Sequence, residues 1–576
     1  MPVRERARPL WSLIVRHQPW SVLGPLLVIQ WLALVGLALS VHHNGWLFYQ
    51  GGDQTFYWTS AHLLSNWTLP ISPIGYAWSY LLAPIALVAG SNILLGLPAI
   101  LLLNVVVLLP LALLCLYGIG TRIAGRVFGY WVALLWIVVP YAAIPMFVQR
   151  YHQKYVEIAL PQQLGLTALG DFPSTVCLLV TAYLIVRALD SGHWHDTVFA
   201  GLAGAFAIGI KPSSALFFGP AVLCLLVARR WVQTASFLCA LVPGLIVLAV
   251  WKQRGLGELP VFSGTGAGGG GGTGMAAIGA DVPLGSLTSP FDKYINLDWH
   301  HLQQNIDGVR EFFWAVRPLE FVPLAGLLAI GRRSWPKSVL VFGWFAAFLL
   351  LKGTSDRANI EDASFFRLLM PAFPAFLLLL ASLPLLVPSF SWTRKLLPEP
   401  PALRAQPRAG RRVLVTAVVL LVLAPLVLVS AASPQTKPEA VTESDQGVYV
   451  PVESFHVTAR RVGSTVRLDW RDQSAGSTRP FYTVLRSRRI APDPSNPDQR
   501  VATEGVSCRR VGSGSSVDCT VYMTRLSATR TTRYIDRPPP GRWTYRVTLS
   551  ANWVDDPSLG DALVISEPAN VTVPRT

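Results

Sequence analysis

From residue 19 to residue 432 the chain alternates between apolar runs of bilayer-crossing length and short polar stretches, and then the apolar runs stop. The first run, 19–40, follows Arg4, Arg6, Arg8 and Arg16. It is too long for a signal peptide and ends in Ser40-Val41-His42-His43, without small residues for cleavage. It therefore reads as an uncleaved anchor with the N-terminus in the cytoplasm. Residues 41–90 contain no Lys or Arg, as expected of an outside loop, whereas Arg122 and Arg126 after the run 91–117 mark the inside. Only one crossing can separate the two. The run 74–90, which follows Pro70 and Pro73 and is interrupted by Gly75, Pro84 and Gly90, is then an interfacial or re-entrant helix.

The later runs alternate without conflict at about 128–148, 172–189, 197–210, 213–228, 233–250, 319–331, 338–351, 365–388 and 413–432. Inside loops carry Arg187, Arg229-Arg230, Arg332-Arg333 with Lys337, and the basic run from Arg394 to Arg412. The prediction is about eleven spans with the N-terminus inside and the C-terminus outside, and long outside loops at 41–90, 149–171 and 252–318. The glycine run Gly264–Gly274 lacks the Gly-Lys-Ser/Thr of a phosphate-binding loop and reads as a flexible linker.

Beyond residue 445 the period changes from helical to alternating. Ser464–Trp470, Phe481–Arg486 and Trp543–Ser550 read as strands, separated by turns such as Pro538-Pro-Pro-Gly541. The fold class expected is an all-α polytopic membrane domain (1–432), a linker (433–444) and an extracytoplasmic all-β sandwich (445–576). Trp470, Tyr482 and Trp543-Thr-Tyr545 give that tail a resemblance to a fibronectin type III domain. Outside the cytoplasm, a disulfide between Cys508 and Cys519 is expected, while Cys115, Cys177, Cys224 and Cys239 lie in apolar runs as inert small hydrophobes.

Composition agrees. Charged residues are 14% of the 576, against about 25% in soluble proteins, and mean hydropathy is +0.43. The net charge of +16 belongs to the ends of apolar runs, so it signals topology and argues against nucleic acid as a partner. Forty of the 48 basic residues are Arg; with abundant Ala, Gly and Pro this suits a high-GC genome and a bacterial plasma membrane.

Ionisable residues at span edges are costly to hold there, which makes them the candidates for chemistry. Asp53, in Gln50-Gly-Gly-Asp53-Gln54-Thr-Phe-Tyr57, follows the first span and is a candidate general base; the same residues are also a helix start signal. Asp171 in Asp171-Phe-Pro-Ser174 could equally cap a span, and Lys211 and Arg367 could equally reach lipid headgroups. Tyr151-His152-Gln153-Lys154, after Arg150, offers a titrating group and cations at the outer face. The pairs His42-His43 and His300-His301 lack the converging partners of a metal site, so the metal is unknown, with a divalent ion left open as a cofactor.

An acidic residue just after the first span, an aromatic four residues on, and the stretch Pro70-Ile-Ser-Pro-Ile-Gly-Tyr-Ala-Trp78 resemble the GT-C superfamily of glycosyltransferases. The likeness is strongest to protein O-mannosyltransferases and lipid A aminoarabinose transferases. Asp171-Phe-Pro, Lys211-Pro and Phe366-Arg367-Leu-Leu-Met-Pro371-Ala-Phe-Pro374 follow in the family's order, over about residues 10–390. The resemblance implies Asp53 as catalytic base, supported by Gln54, Tyr57 and Asp171. It implies a polyprenyl-phosphate sugar donor whose phosphate is held by Lys211 and Arg367, with Arg150, His152 and Lys154 as further cations. The expected partners are membrane lipid, that donor, and an envelope glycan, lipid or protein acceptor; the expected reaction is an inverting single displacement. Two departures stand out. The family's Asp-Glu pair is Asp53-Gln54 here, and its loop lysine near the proline stretch is absent. A lipid or glycan transporter and a non-catalytic scaffold presenting the sandwich are the rival readings; the missing carboxylate favours the scaffold, and charges confined to span ends disfavour a transporter.

The topology has a direct check. A cysteine at position 300 should react with a membrane-impermeant maleimide added to intact cells, and one at position 400 should not; labelling at 400 would overturn the eleven-span alternation.

Overall fold

The computed structural model describes residues 19–40, 53–256 apart from 71 and 73, 297–387 apart from 315, 356, 357 and 362, and 413–434 apart from 414. In the C-terminal part it describes 440–443, 446–448, 453–474, 481–488, 506–510, 517–551 and 561–574. The N-terminal arginines, His42-His43, the glycine run and the basic run Arg394–Arg412 lie outside the described residues, as do the side chains of Cys508 and Cys519.

All eleven expected runs are helical. Six are long and apolar enough to cross a membrane: Trp20–Ser40, Ile93–Ala124, Asp171–Ser191, Trp231–Gly255, Trp335–Lys352 and Ser364–Leu386. The others are shorter: Arg126–Ala142, Trp194–Ile210, Pro212–Val227, Val322–Gly331 and Val415–Ala431. The run 74–90 forms the helix Tyr76–Ala89, whose 14 residues span about 21 Å, short of a hydrocarbon core of about 30 Å. One expectation is corrected. The stretch 149–171, read as a loop, is helical from Gln149 to Gln163 in three short segments, because Tyr151, Tyr155 and Leu160 supply a buried face.

The chain divides into two compact units. The first comprises residues 1–42, 101–250 and 288–427. In it Asp171–Ser191 packs on Trp194–Ile210 and on Leu109–Ala124, and Val322–Gly331 packs on Trp335–Lys352 and Phe373–Ser382. Gly192, at φ 71°, ends Asp171–Ser191 in the left-handed conformation that a side chain would strain, and lets the chain reverse within two residues. Helices approach closely where small residues meet, as at Gly201 against Ala240 and Gly244 against Ala205.

The second unit comprises residues 43–100, 251–287 and 428–576. Its strands are β1 (Thr68–Leu69), β2 (Ser433–Pro434), β3 (Ala440–Glu443), β4 (Gln446–Val448), β5 (Glu453–Phe455), β6 (Val457–Val462), β7 (Thr465–Trp470), β8 (Phe481–Arg488), β9 (Val506–Arg510), β10 (Val517–Thr529), β11 (Arg533–Asp536), β12 (Gly541–Ala551), β13 (Asp561–Ser566) and β14 (Ala569–Val573). One sheet runs β4-β3-β10-β8-β12-β13-β5, with β14 on β12 and β9 on β10; the other is β11-β7-β6. The inward positions Val466, Leu468 and Trp470 of β7 alternate with half-buried ones, and the Trp470 ring meets Tyr482 of the larger sheet at 5.5 Å. The stretch 433–444, read as a linker, contributes β2 and β3: β2 pairs with β1, and β3 pairs in parallel with β10.

The loop 471–474 ties the sheets to the helical part of this unit. Burial alone would raise the Asp472 carboxyl, but hydrogen bonds from the Tyr482 hydroxyl and from Ser474 outweigh it and hold it below the usual carboxylate range. The turn thus fixed presents the Gln473 carbonyl to the Asn92 side chain at 3.2 Å.

The register of β9 and β10 sets Cys508 directly opposite Cys519. Directly opposed antiparallel residues have Cα atoms about 4.5–5.5 Å apart, within disulfide range. We expect both thiols to resist alkylation until reductant is added. Replacing the pair by serine should cost about 2–4 kcal/mol of stability in this region; full alkylation without reductant would refute the bond.

Candidate active site

Three of the expected site residues meet in the first unit. Asp171 is the first residue of Asp171–Ser191, and Lys211 follows the last residue of Trp194–Ile210. A carboxylate at a helix N-terminus and an ammonium at a C-terminus each sit where the helix dipole favours them. Lys211 Nζ donates to Asp171 Oδ1, and Arg367 Nε donates to Oδ2 at 3.3 Å. The carboxylate is 2% exposed, the lysine 17% and the arginine 27%. Lys211 and Arg367 thus converge on one buried carboxylate.

The backbone around the triad is held by buried hydrogen bonds. The hydroxyls of Ser174 and Ser214, each three residues beyond its ion-pair partner, meet at 2.8 Å. Asn104, in a π-helical turn, donates to the carbonyls of Gly165 and Thr167 at 2.9 and 3.0 Å, fixing the approach to Asp171. Gly165 has φ 74° and lies under the Phe172 ring, where a side chain would collide.

Arg367 also lines a cavity of about 490 Å³ whose wall is otherwise largely apolar and aromatic, including Phe147, Tyr155, Phe313, Phe366 and Phe373. Phe147 organises this wall, stacking on Tyr155 at 4.3 Å and meeting Phe366 edge-on at 5.9 Å.

The other expected cations lie apart from the triad's ion pairs. Arg150 pairs with Glu311 at 3.4 Å and Glu361 at 3.6 Å, and Lys154 pairs with Glu361 at 3.4 Å. His152 is exposed on the same short helix, which the Tyr151 hydroxyl pins to the Ile360 carbonyl at 2.5 Å. These pairs are solvent-exposed and contribute little stability.

Asp53, Gln54 and Tyr57 belong to the second unit. Asp53 opens Asp53–Ser65 and is partly exposed; Gln54 and Tyr57 are buried. Ser79 donates to the Tyr57 carbonyl at 3.2 Å, and the Trp58 indole donates to the Ser91 carbonyl at 2.8 Å, so this helix is packed firmly on Tyr76–Ala89. One residue escaped sequence reasoning. Lys252 was taken as the first residue of an outside loop, but the helix continues to Leu256 and Lys252 is only 1% exposed.

Among the described residues no group of three His, Cys, Asp or Glu side chains could hold a metal ion. His301 is instead bonded to the Ala358 carbonyl at 2.7 Å.

Residues 158–252 match the family model described as dolichyl-phosphate-mannose-protein mannosyltransferase. The matched segment contains Asp171, Lys211 and Lys252. Among solved structures, the oligosaccharyltransferase AglB of Archaeoglobus fulgidus, in complex with an inhibitory peptide and a dolichol-phosphate, is 14% identical with a TM-score of 0.37, covering 72% of this chain and 56% of its own. ArnT from Cupriavidus metallidurans, bound to undecaprenyl phosphate, is 14% identical with a TM-score of 0.35, covering 70% and 76%. The chain thus spans little more than half the length of the archaeal protein. No curated protein matches the sequence.

In this unit, Asp171→Asn removes the carboxylate to which both Lys211 and Arg367 are bonded. We expect a loss of about 2–3 kcal/mol, discounted for their exposure. It should be read as a lowered unfolding midpoint in detergent and be partly restored in Asp171→Asn/Lys211→Met. Additive losses in the double variant would show that the pair does not couple.

Proposed function

We propose that the protein is an integral membrane glycosyltransferase that moves a sugar from a polyprenyl-phosphate donor to a hydroxyl of a cell-envelope acceptor on the outer face. The observation that carries this reading is the largely apolar, aromatic cavity sharing Arg367 with the Asp171–Lys211 pair. An apolar wall beside a lysine and an arginine held by one carboxylate would complement an isoprenoid phosphate. The match to a family that uses a lipid-phosphate sugar, over the segment holding Asp171 and Lys211, supports it independently.

In this reading the Asp53 carboxylate takes the proton of the acceptor hydroxyl. The oxygen attacks the anomeric carbon as the bond from that carbon to the phosphate oxygen breaks. One displacement inverts the anomeric centre, and polyprenyl phosphate leaves with the bonding electrons. Lys211 and Arg367 stabilise the charge that grows on the phosphate. Asp171 holds both cations in place, so they need not reorganise as that charge develops.

Asp53 is the only acidic residue between Glu5 and Glu157, so the first outside loop holds no substitute carboxylate. Asp53→Asn keeps the shape and the helix-starting ability and removes the proton acceptor. We expect a folded, membrane-inserted protein whose transfer rate from a polyprenyl-phosphate sugar falls by about 10²–10⁴-fold. Undiminished transfer would remove Asp53 from the mechanism, and absence of any transfer by the unaltered protein would favour the scaffold.

A further inference from the structure

The connection between the helices Tyr76–Ala89 and Ile93–Leu103 is only Gly90-Ser91-Asn92, and two of these residues are held by different parts of the second unit. The Ser91 carbonyl accepts from the Trp58 indole at 2.8 Å. Trp58 lies on the helix that opens with Asp53 and is 1% exposed. Its ring covers Gly96 so closely that a Cβ there would stand 2.0 Å from it. Asn92, itself buried, uses both ends of its amide. The oxygen accepts from the Leu94 N–H at 3.0 Å and so caps the start of Ile93–Leu103. The nitrogen donates to the Gln473 carbonyl at 3.2 Å, in the turn that follows β7. One partner is a donor and the other an acceptor, which fixes the way the amide points.

That turn is stiff. Asp472 accepts from the Ser474 N–H at 2.9 Å, from the Ser474 hydroxyl at 2.8 Å and from the Tyr482 hydroxyl. The Tyr482 oxygen in turn accepts from the Gln473 N–H at 2.8 Å. Tyr482 is buried on β8 against Trp470 of β7, so the turn is fixed to both sheets. A helix cap needs only an oxygen, and serine or aspartate would serve as well. The amide nitrogen is the atom that capping does not require, and it is the atom bonded to the turn.

We propose that Asn92 is a positioning residue: it carries the placement of the turn 472–474 through Ser91 and Trp58 to the helix that presents Asp53. Trp58 follows Asp53 by less than one and a half helical turns, so a shift at the indole moves the carboxylate with it. The β-rich region then sets where Asp53 stands. That Asp53 is a base rests on the glycosyltransferase reading; the coupling of the turn to its helix does not.

Full-length protein in lipid nanodiscs is compared with three variants. Asn92→Asp keeps the size and the cap and turns the donor into an acceptor facing the Gln473 carbonyl. Asn92→Ser keeps the cap and is too short to reach the turn. Tyr482→Phe loosens the turn from its own side. The first readout is hydrogen exchange of residues 57–65. We expect it to quicken by about two- to tenfold in each variant, as loss of one hydrogen bond implies. The second is steady-state transfer from a polyprenyl-phosphate sugar, below the unfolding midpoint of every variant. We expect kcat to fall by about tenfold or more with KM for the donor unchanged, since Lys211 and Arg367 belong to the other unit. If Asn92→Asp does not fold, Asn92→Ser and Tyr482→Phe carry both measurements. Unchanged exchange of residues 57–65 in the folded variants overturns the coupling. Faster exchange with unchanged kcat overturns the positioning role. If the unaltered protein transfers no sugar, the glycosyltransferase reading fails and the exchange comparison alone decides the coupling.

Discussion

A carboxylate almost sealed from solvent has to be neutralised where it stands, and Asp171 meets that demand with two cations from distant parts of the chain. Coulomb attraction between charges in contact is several times stronger at a protein's effective dielectric than in water. The buried ion therefore constrains its surroundings more than an exposed pair such as Arg150 and Glu311 constrains its own. Helix Asp171–Ser191 must begin beside the end of Trp194–Ile210, and Ser364–Leu369 must bring Arg367 to the same point. The Ser174–Ser214 contact and the Asn104 bonds to residues 165 and 167 follow from that convergence, because each fixes backbone within a few residues of an ion.

The same arrangement reconciles stability with function. A lone lysine at a helix end can bend towards headgroups and contribute nothing to a site. Lys211 is held by Asp171, and Arg367 is shared between Asp171 and the wall of an aromatic cavity. One carboxylate thus orients two cations beside apolar space.

The second unit solves a different problem. Its helices Asp53–Ser65 and Tyr76–Ala89 are too short to be stable by themselves, and they are secured by packing on each other and by bonds to the chain's later parts. β1 pairs with β2, Asn92 reaches the Gln473 carbonyl, and Trp251 and Arg254 lock the end of Trp231–Leu256 to residues on either side. The β-rich region is in this sense part of the support for the loop that carries Asp53, and the turn at Asp472 is the point of attachment.

Much of this was legible in the sequence. Every expected apolar run is helical, since twenty apolar residues in a low-charge chain have few other options, and the change of period near residue 445 marks the sheets. Asp171, Lys211 and Arg367 were each visible as ionisable residues at the ends of runs, where their cost demands a reason. Their convergence was not visible, because periodicity carries no information about which of several helix ends will adjoin. The helical turns of 149–163 were missed because short segments owe their structure to buried partners such as Ile360. Lys252 looked like the start of a loop because charge ends an apolar run by composition. Only the packing of Trp251 and Gly255 against residues 70–74 turned that lysine inward. Local pattern determined which residues form helices and strands and which were chemically exceptional. Tertiary packing decided which of those exceptional residues share a site, because that choice depends on contacts between segments far apart in sequence.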